Sequence, residues 1–297
     1  MDQNAFRKAA DLDFWSSSVN PQVLGGGLTN TNFLVEDRGE RFVVRIGEDI
    51  PFHGIMRFNE TASARAAYFA GISPEIVHHA KGVLVMRFIE GKTLTGKDIQ
   101  NSCNLARVLA LLKKCHEEIP QYLQGPVLAF WPFQVCRGYL ITAREGGTRW
   151  MDALPRFFDI NAGLEKTVGM IKMVFAHNDL LAANFIDDGQ RLWLLDWDYA
   201  GYNAALFDLA NLSSNNEIGS KKEEWLLENY FEKPVNDQLR LRFEAMKCAS
   251  LLRETLWSVV QEIHSTLNFD YAKYSEDNRN RFEANYSQFQ KMESSRV

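Results

Sequence analysis

The stretch that decides the reading is Phe175-Ala176-His177-Asn178-Asp179-Leu180-Leu181-Ala182-Ala183-Asn184, with Leu194-Leu195-Asp196-Trp197-Asp198 a little further on. It fits H-x-D-x-x-x-x-N, followed by an apolar run that ends in Asp. With 6 His in 297 residues, and 17 Asp and 20 Asn counted along the chain, chance supplies 6 × 17/297 × 20/297, about 0.02 matches. Phosphoryl transfer explains the spacing, because it asks a protein for positioning and charge neutralisation and for little covalent work. Asp179 is then the carboxylate that meets an attacking hydroxyl. Asn184, further along the same loop, offers an amide oxygen to Mg²⁺, and Asp196 offers a carboxylate between metal and phosphate oxygens. His177 is expected to orient the loop by hydrogen bonding. The intervening FIDDGQRLWLL reads as a hairpin that turns at Asp187-Asp188-Gly189.

Working outward, the first ninety residues look strand-rich. Val23-Leu24 leads into Gly25-Gly26-Gly27, then Thr31–Val35 and Arg41–Ile46 form extended runs around turn residues 36–39. Together they predict a small antiparallel meander. Asn59–Ala70 is Ala-rich and stops at Gly71 and Pro74, as a helix does. Val83–Ile89 reads as another strand, and Glu90-Gly91-Lys92 breaks the pattern. Leu105–Glu118 carries apolar side chains at helical spacing and ends at Pro120. Pro126, Pro132 and Pro155 punctuate short helical segments between 125 and 170. Residues 173–201 look like strand and loop, and the chain beyond 204 looks helical, with a break at Pro234 and Asn236. The expectation is an α+β fold of two lobes, a β-rich one over 1–89 and a larger helical one over 90–297.

Composition bounds the function. Hydrophobic residues make up 46% and charged residues 24%, which is ordinary globular usage and excludes a disordered chain. Thirty-eight acidic against 33 basic side chains leave a formal charge of −5, so a nucleic-acid footprint is not expected. No apolar run reaches the roughly 18 residues that span a bilayer, and the N-terminus has no apolar signal core. The four cysteines form no C-x-x-C pair and read as reduced thiols of a cytoplasmic protein.

The segments HNDLLAANFI and LLDWDYAGYNAALFDLAN resemble the catalytic and metal-binding motifs of the choline/ethanolamine kinase family. The likeness is to its LicA-like bacterial branch, within the aminoglycoside-phosphotransferase and protein-kinase-like superfamily. The resemblance implies a protein-kinase-like fold that uses ATP and Mg²⁺ to phosphorylate the hydroxyl of choline. It makes Leu24–Asn32 the phosphate loop, with Gly25, Gly26 and Gly27 letting backbone amides approach phosphate and Thr29 and Asn30 adding hydrogen bonds. Arg45 then stands where protein kinases carry a strand lysine, with Glu60 as its ion-pair partner. Met86 to Glu90, including Phe88, would face adenine. Asp208 would buttress the catalytic loop.

A choline site wants aromatic faces and nearby negative charge. Tyr199, just past Asp196, and Trp257, Tyr271 and Tyr274 in the C-terminal helices are the candidate aromatics, Trp257 by resemblance of Leu256-Trp257-Ser258 to a family motif. Asp179, Asp198 and Glu254 complete the expected substrate contacts. Two positions depart from the family. A tryptophan expected three residues before Trp257 is Glu254, and an acidic residue on the FDLAN helix is Asn215. Ethanolamine, thiamine and aminoglycosides are the alternative acceptors. A catalytically inactive nucleotide-binding scaffold is the alternative from another class.

Overall fold

Phe33 and Val35 on one extended run, and Phe42, Val44 and Ile46 on the next, are all buried. That period-two pattern makes the two runs paired strands with one face on a core. In the computed structural model, which describes residues 3–25, 29–265, 267 and 269–295, the first half runs α1 (Gln3–Ala10), β1 (Gln22–Leu24), β2 (Thr31–Asp37), β3 (Glu40–Ile46), α2 (Arg57–Phe69), β4 (Ile76–Ala80) and β5 (Val83–Arg87). The sheet is antiparallel in the order β1-β2-β3-β5-β4, and β2 and β3 pair from Thr31↔Ile46 to Asp37↔Glu40. Two elements are additions to the expected meander. Strand β4 sits at the sheet edge, half-buried from Ile76 to His78 and exposed at His79 and Ala80, so its sequence shows no clean alternation. Helix α1 packs Ala5 and Ala9, one turn apart, onto the core beside Phe33.

The chain crosses to the second half over residues 88–91. Gly91 is required there, because a Cβ would lie 2.7 Å from the Asp187 carbonyl oxygen. The second half runs β6 (Lys92–Thr93), α3 (Gly96–Gln100), α4 (Ser102–Glu118), α5 (Pro132–Glu145), α6 (Leu154–Val168), β7 (Met173–Ala176), β8 (Phe185–Asp187), β9 (Leu192–Leu194), β10 (Gly201–Ala204), α7 (Ala205–Asn215), α8 (Ser220–Phe231), α9 (Asp237–His264) and α10 (Tyr271–Ser294). The short helix α3 was not foreseen; Thr95 and Asp98 close a capping box at its start. The expected hairpin is present as β8 and β9, with Phe185 opposite Leu194. Helix α9 packs against α5, α6, α7 and α10. No helix among the described residues is long and apolar enough to cross a membrane.

Two features of this half position the loop 177–184. Strand β7 pairs antiparallel with β10, Ala176 opposite Gly201, so the segments 177–184 and 195–200 run side by side. Helix α7, buried from Ala205 to Ser214, then holds the loop from below. Asp208 accepts the backbone N–H groups of His177 at 2.9 Å and Asn178 at 2.8 Å, and lies 3.0 Å from His116 Nε2. Asn211 Oδ1 accepts Leu180 N–H at 2.6 Å, and Asn216 Nδ2 donates to the Leu180 carbonyl at 2.9 Å. Burial alone would raise the Asp208 carboxyl, but His116 and the loop amides outweigh it and hold it below its usual range.

Replacing Asp208 with Ala would therefore strand three buried donors at once. The expected cost is roughly 3–5 kcal/mol of folding stability, read as a drop in the urea midpoint. A midpoint unchanged from the parent protein would show that α7 does not carry the loop.

Candidate active site

The tip of the loop is held in a conformation that side chains usually avoid. Asn178 has φ of +68°, and its side chain makes this tolerable. Its Nδ2 donates to the Tyr199 carbonyl at 2.9 Å, and its Oδ1 accepts from Asn203 Nδ2 at 2.7 Å. His177 follows from the same packing. Its Nε2 faces the Leu195 carbonyl at 2.9 Å and must carry the proton, so Nδ1 accepts the Asp179 N–H at 3.3 Å. Burial lowers its pKa and keeps it neutral. Through these two bonds the His177 ring ties the Asp179 backbone to the segment after β9. Asn178 went unread; an Asn between the motif His and Asp was the available signal.

Above the loop, five charged side chains meet at the boundary of the two halves. Arg45 on β3 pairs with Glu60 on α2 and with Asp196, each at 2.7 Å. Arg57, also on α2, pairs with Glu60 at 2.7 Å and with Asp198 at 2.8 Å. Burial disfavours the charge on Arg45, but Asp196, Asp198 and Glu60 more than compensate and hold it charged. Burial raises the Glu60 carboxyl despite both arginines. Burial also acts on Asp198, yet Arg45 and Arg57 bring it below its ordinary value. Thr29 and the Asn30 amide donate to its other oxygen at 3.2 and 3.1 Å. Asp198 is consequently occupied on both oxygens. It clamps the two halves together, and it also lines the smaller of two neighbouring cavities. Arg57 had no local motif to reveal it.

Two cavities flank this cluster. One, of about 410 Å³, is lined by Gly25, Arg45, Met86, Phe88, Ile89 and the apolar Ile186, among others. It collects the expected phosphate-loop, cation and hinge positions, apart from Gly26 and Gly27, which lie outside the described residues. Thr29 and Asn30 face Asp198 instead. The other cavity, of about 260 Å³, is lined by Asp179, Asp198, Tyr199, Asn215, Glu254, Trp257 and Tyr274. Ala183, Asn184 and Asp196 line both, so the cavities meet at the two residues expected to hold metal.

The donors there fit Mg²⁺. Asp196 sits at φ of +67°, and its Oδ1 is buried with no hydrogen-bond partner. Asn184 spends its Nδ2 on the Asp179 carbonyl at 2.9 Å, which leaves its Oδ1 as the acceptor. One carboxylate and one amide oxygen suit an ion that keeps most of its shell for water and phosphate.

In the smaller cavity Asp179 is a carboxylate pushed up to about 7. Burial is the main cause, with Glu254 and Asp196 adding to it and Arg253 opposing. The aromatics are arranged differently from the expected cage. Trp257 is almost wholly buried; its Nε1 donates to Tyr199 Oη at 2.9 Å, and its ring stacks on His53 at 5.3 Å. Tyr271 does not line the cavity and packs at 6.4 Å from Trp257, so it belongs to the wall behind. Arg253 and Arg281 line the cavity and were missed. The signal for Arg253 was the charged pair Arg253-Glu254 inside the otherwise uncharged run Leu251–Val260.

Comparisons with known proteins bear on the family and the fold. The family model for choline/ethanolamine kinase matches residues 22–225. Protein LicA of Haemophilus influenzae is 27% identical over 83% of this chain and 75% of its own length. A probable ethanolamine kinase of Arabidopsis thaliana is 25% identical over 92% of this chain and 80% of its own. The crystal structure of a choline/ethanolamine kinase family protein from Mesorhizobium loti superposes with a TM-score of 0.75 at 26% identity, covering 98% of this chain and 97% of that one. The chain therefore belongs to the choline/ethanolamine kinase family, phosphotransferases that act on alcohol acceptors.

Proposed function

We propose that this chain transfers the γ-phosphoryl group of ATP to the hydroxyl of a small cationic amino alcohol of the choline–ethanolamine class. One observation carries the reading: a nucleotide-sized cleft and a smaller cavity meet at Asn184 and Asp196, with Asp179 on the smaller side. Ligand pockets usually span roughly 300–1,000 Å³. A cavity of about 260 Å³ therefore suits an acceptor of a few heavy atoms and disfavours thiamine or an aminoglycoside.

The residues then have separate tasks. Asp179 accepts the hydroxyl hydrogen bond, aligns the oxygen and takes up its proton as the new O–P bond forms. Arg45, held by Glu60, directs its guanidinium at the α- and β-phosphates. Gly25 approaches the phosphates through its backbone, and Met86–Ile89 line the base. Asn184 and Asp196 hold Mg²⁺, which when bound neutralises charge building on the phosphate oxygens.

Three measurements test this. An ADP-release assay should respond to choline or ethanolamine and stay at background with thiamine and kanamycin; ADP release with none of the four would favour the inactive scaffold. Asp179→Asn should lower turnover by at least the roughly 10²-fold typical of losing a general base, with ATP binding little changed. Turnover within a few-fold of the parent would sink Asp179's role. Asp196→Ala should abolish saturation in a Mg²⁺ titration of the reaction, and a variant that saturates at the same Mg²⁺ with the same rate is no ligand mutant.

A further inference from the structure

The acceptor cavity contains a charge pattern that a cage for a quaternary ammonium does not need. Arg253 and Glu254 are neighbours on α9, and Trp257 follows one turn later. The Arg253 guanidinium carbon lies 4.4 Å from the Tyr199 ring centroid. That is where a cationic ligand would sit on this ring. The Trp257 ring, for its part, stacks on His53 with an interplanar angle of 27°. Groups of the chain itself thus already cover one face of Tyr199 and one face of Trp257.

What the cavity offers instead is a carboxylate. Glu254 Oε2 accepts from Arg253 Nη1 at 3.0 Å, and Oε1 accepts from Tyr274 Oη at 2.8 Å. Each oxygen retains a further lone pair, and the side chain remains 19% exposed. The same Arg253 nitrogen lies 3.5 Å from Asp179 Oδ1. Asp179 and Glu254 therefore flank one nitrogen, and a two-carbon amino alcohol can give its hydroxyl to the first and its ammonium to the second. An ammonium with N–H makes short charge-assisted bonds to such an oxygen. A trimethylammonium has no N–H and keeps its charge behind three methyl groups.

We propose that Glu254, held in place by Arg253 and Tyr274, is the specificity-determining residue of the acceptor site and selects an ammonium that bears N–H over a quaternary one. The inference rests on the amino-alcohol kinase reading above. It replaces the aromatic cage expected for choline with a hydrogen-bonding receptor.

The test is kcat/KM for ethanolamine and its N-methyl, N,N-dimethyl and N,N,N-trimethyl derivatives, which lose one N–H at each step. The value should fall along the series, with the last step costing at least about tenfold, the scale of a lost charge-assisted hydrogen bond. A flat series, or one that rises toward the quaternary compound, overturns the proposal. Glu254→Gln should cut the ethanolamine-to-choline ratio by at least about fivefold while the KM for ATP stays within twofold. An unchanged ratio overturns the role of Glu254 even if the parent prefers ethanolamine. Tyr274→Phe, which frees Oε1 without touching the carboxylate, should lower the ratio in the same direction, and this keeps the test open if the first variant fails to fold. Absence of ADP release with all four alcohols would instead overturn the kinase reading, so the two failures are distinguishable.

Discussion

The structure depends on a buried knot of charge between its two halves. Two arginines from the first half, Arg45 and Arg57, meet Asp196 and Asp198 of the second, with Glu60 shared between them. Breaking such a knot costs several kcal/mol, because it leaves a buried charge without its partner. That cost is what fixes the nucleotide cleft over the loop that carries Asp179. Three carboxylates face two guanidiniums, so the knot carries an excess of negative charge, beside the unpartnered Asp196 oxygen. A divalent cation is the natural complement to it.

A second constraint works from below. The loop 177–184 has almost no regular structure of its own, so its backbone groups need partners from elsewhere. Helix α7 supplies them through Asp208, Asn211 and Asn216, and Asn178 ties the loop to the segment after Asp196. The left-handed φ at Asn178 persists because those bonds over-determine it. Function and folding share these residues. The loop is held rigidly where the acceptor hydroxyl and the phosphates would meet, and this is the pre-organisation that phosphoryl transfer needs.

Much of this was legible in the sequence where chemistry and spacing coincide. His177, Asp179, Asn184 and Asp196 are close along the chain, so their pattern survives without knowledge of the fold. The β8–β9 hairpin between them was legible for the same reason. The Arg45–Glu60 pair came from resemblance, since nothing local links a strand arginine to a glutamate fifteen residues on. Arg57 and Arg253 were not legible. Each acts across a distance of more than seventy residues, Arg57 on Asp198 and Arg253 on Asp179. Tyr271 packs behind the cavity beside Trp257; a sequence position does not say which way a ring will face. The edge strand Ile76–Ala80 escaped because, half-buried at its start and exposed at its end, it carries no alternation.

The account's central claim is that Asp179, Asn184 and Asp196 sit where a phosphoryl group passes directly from nucleotide to alcohol. The most direct measurement is ³¹P NMR of the full chain with ATP, Mg²⁺ and ethanolamine. The account predicts that the γ-phosphate resonance is replaced by one phosphomonoester signal in step with ADP, and that Asp179→Asn prevents it. Inorganic phosphate as the product, or a phosphomonoester formed equally well by Asp179→Asn, would contradict it.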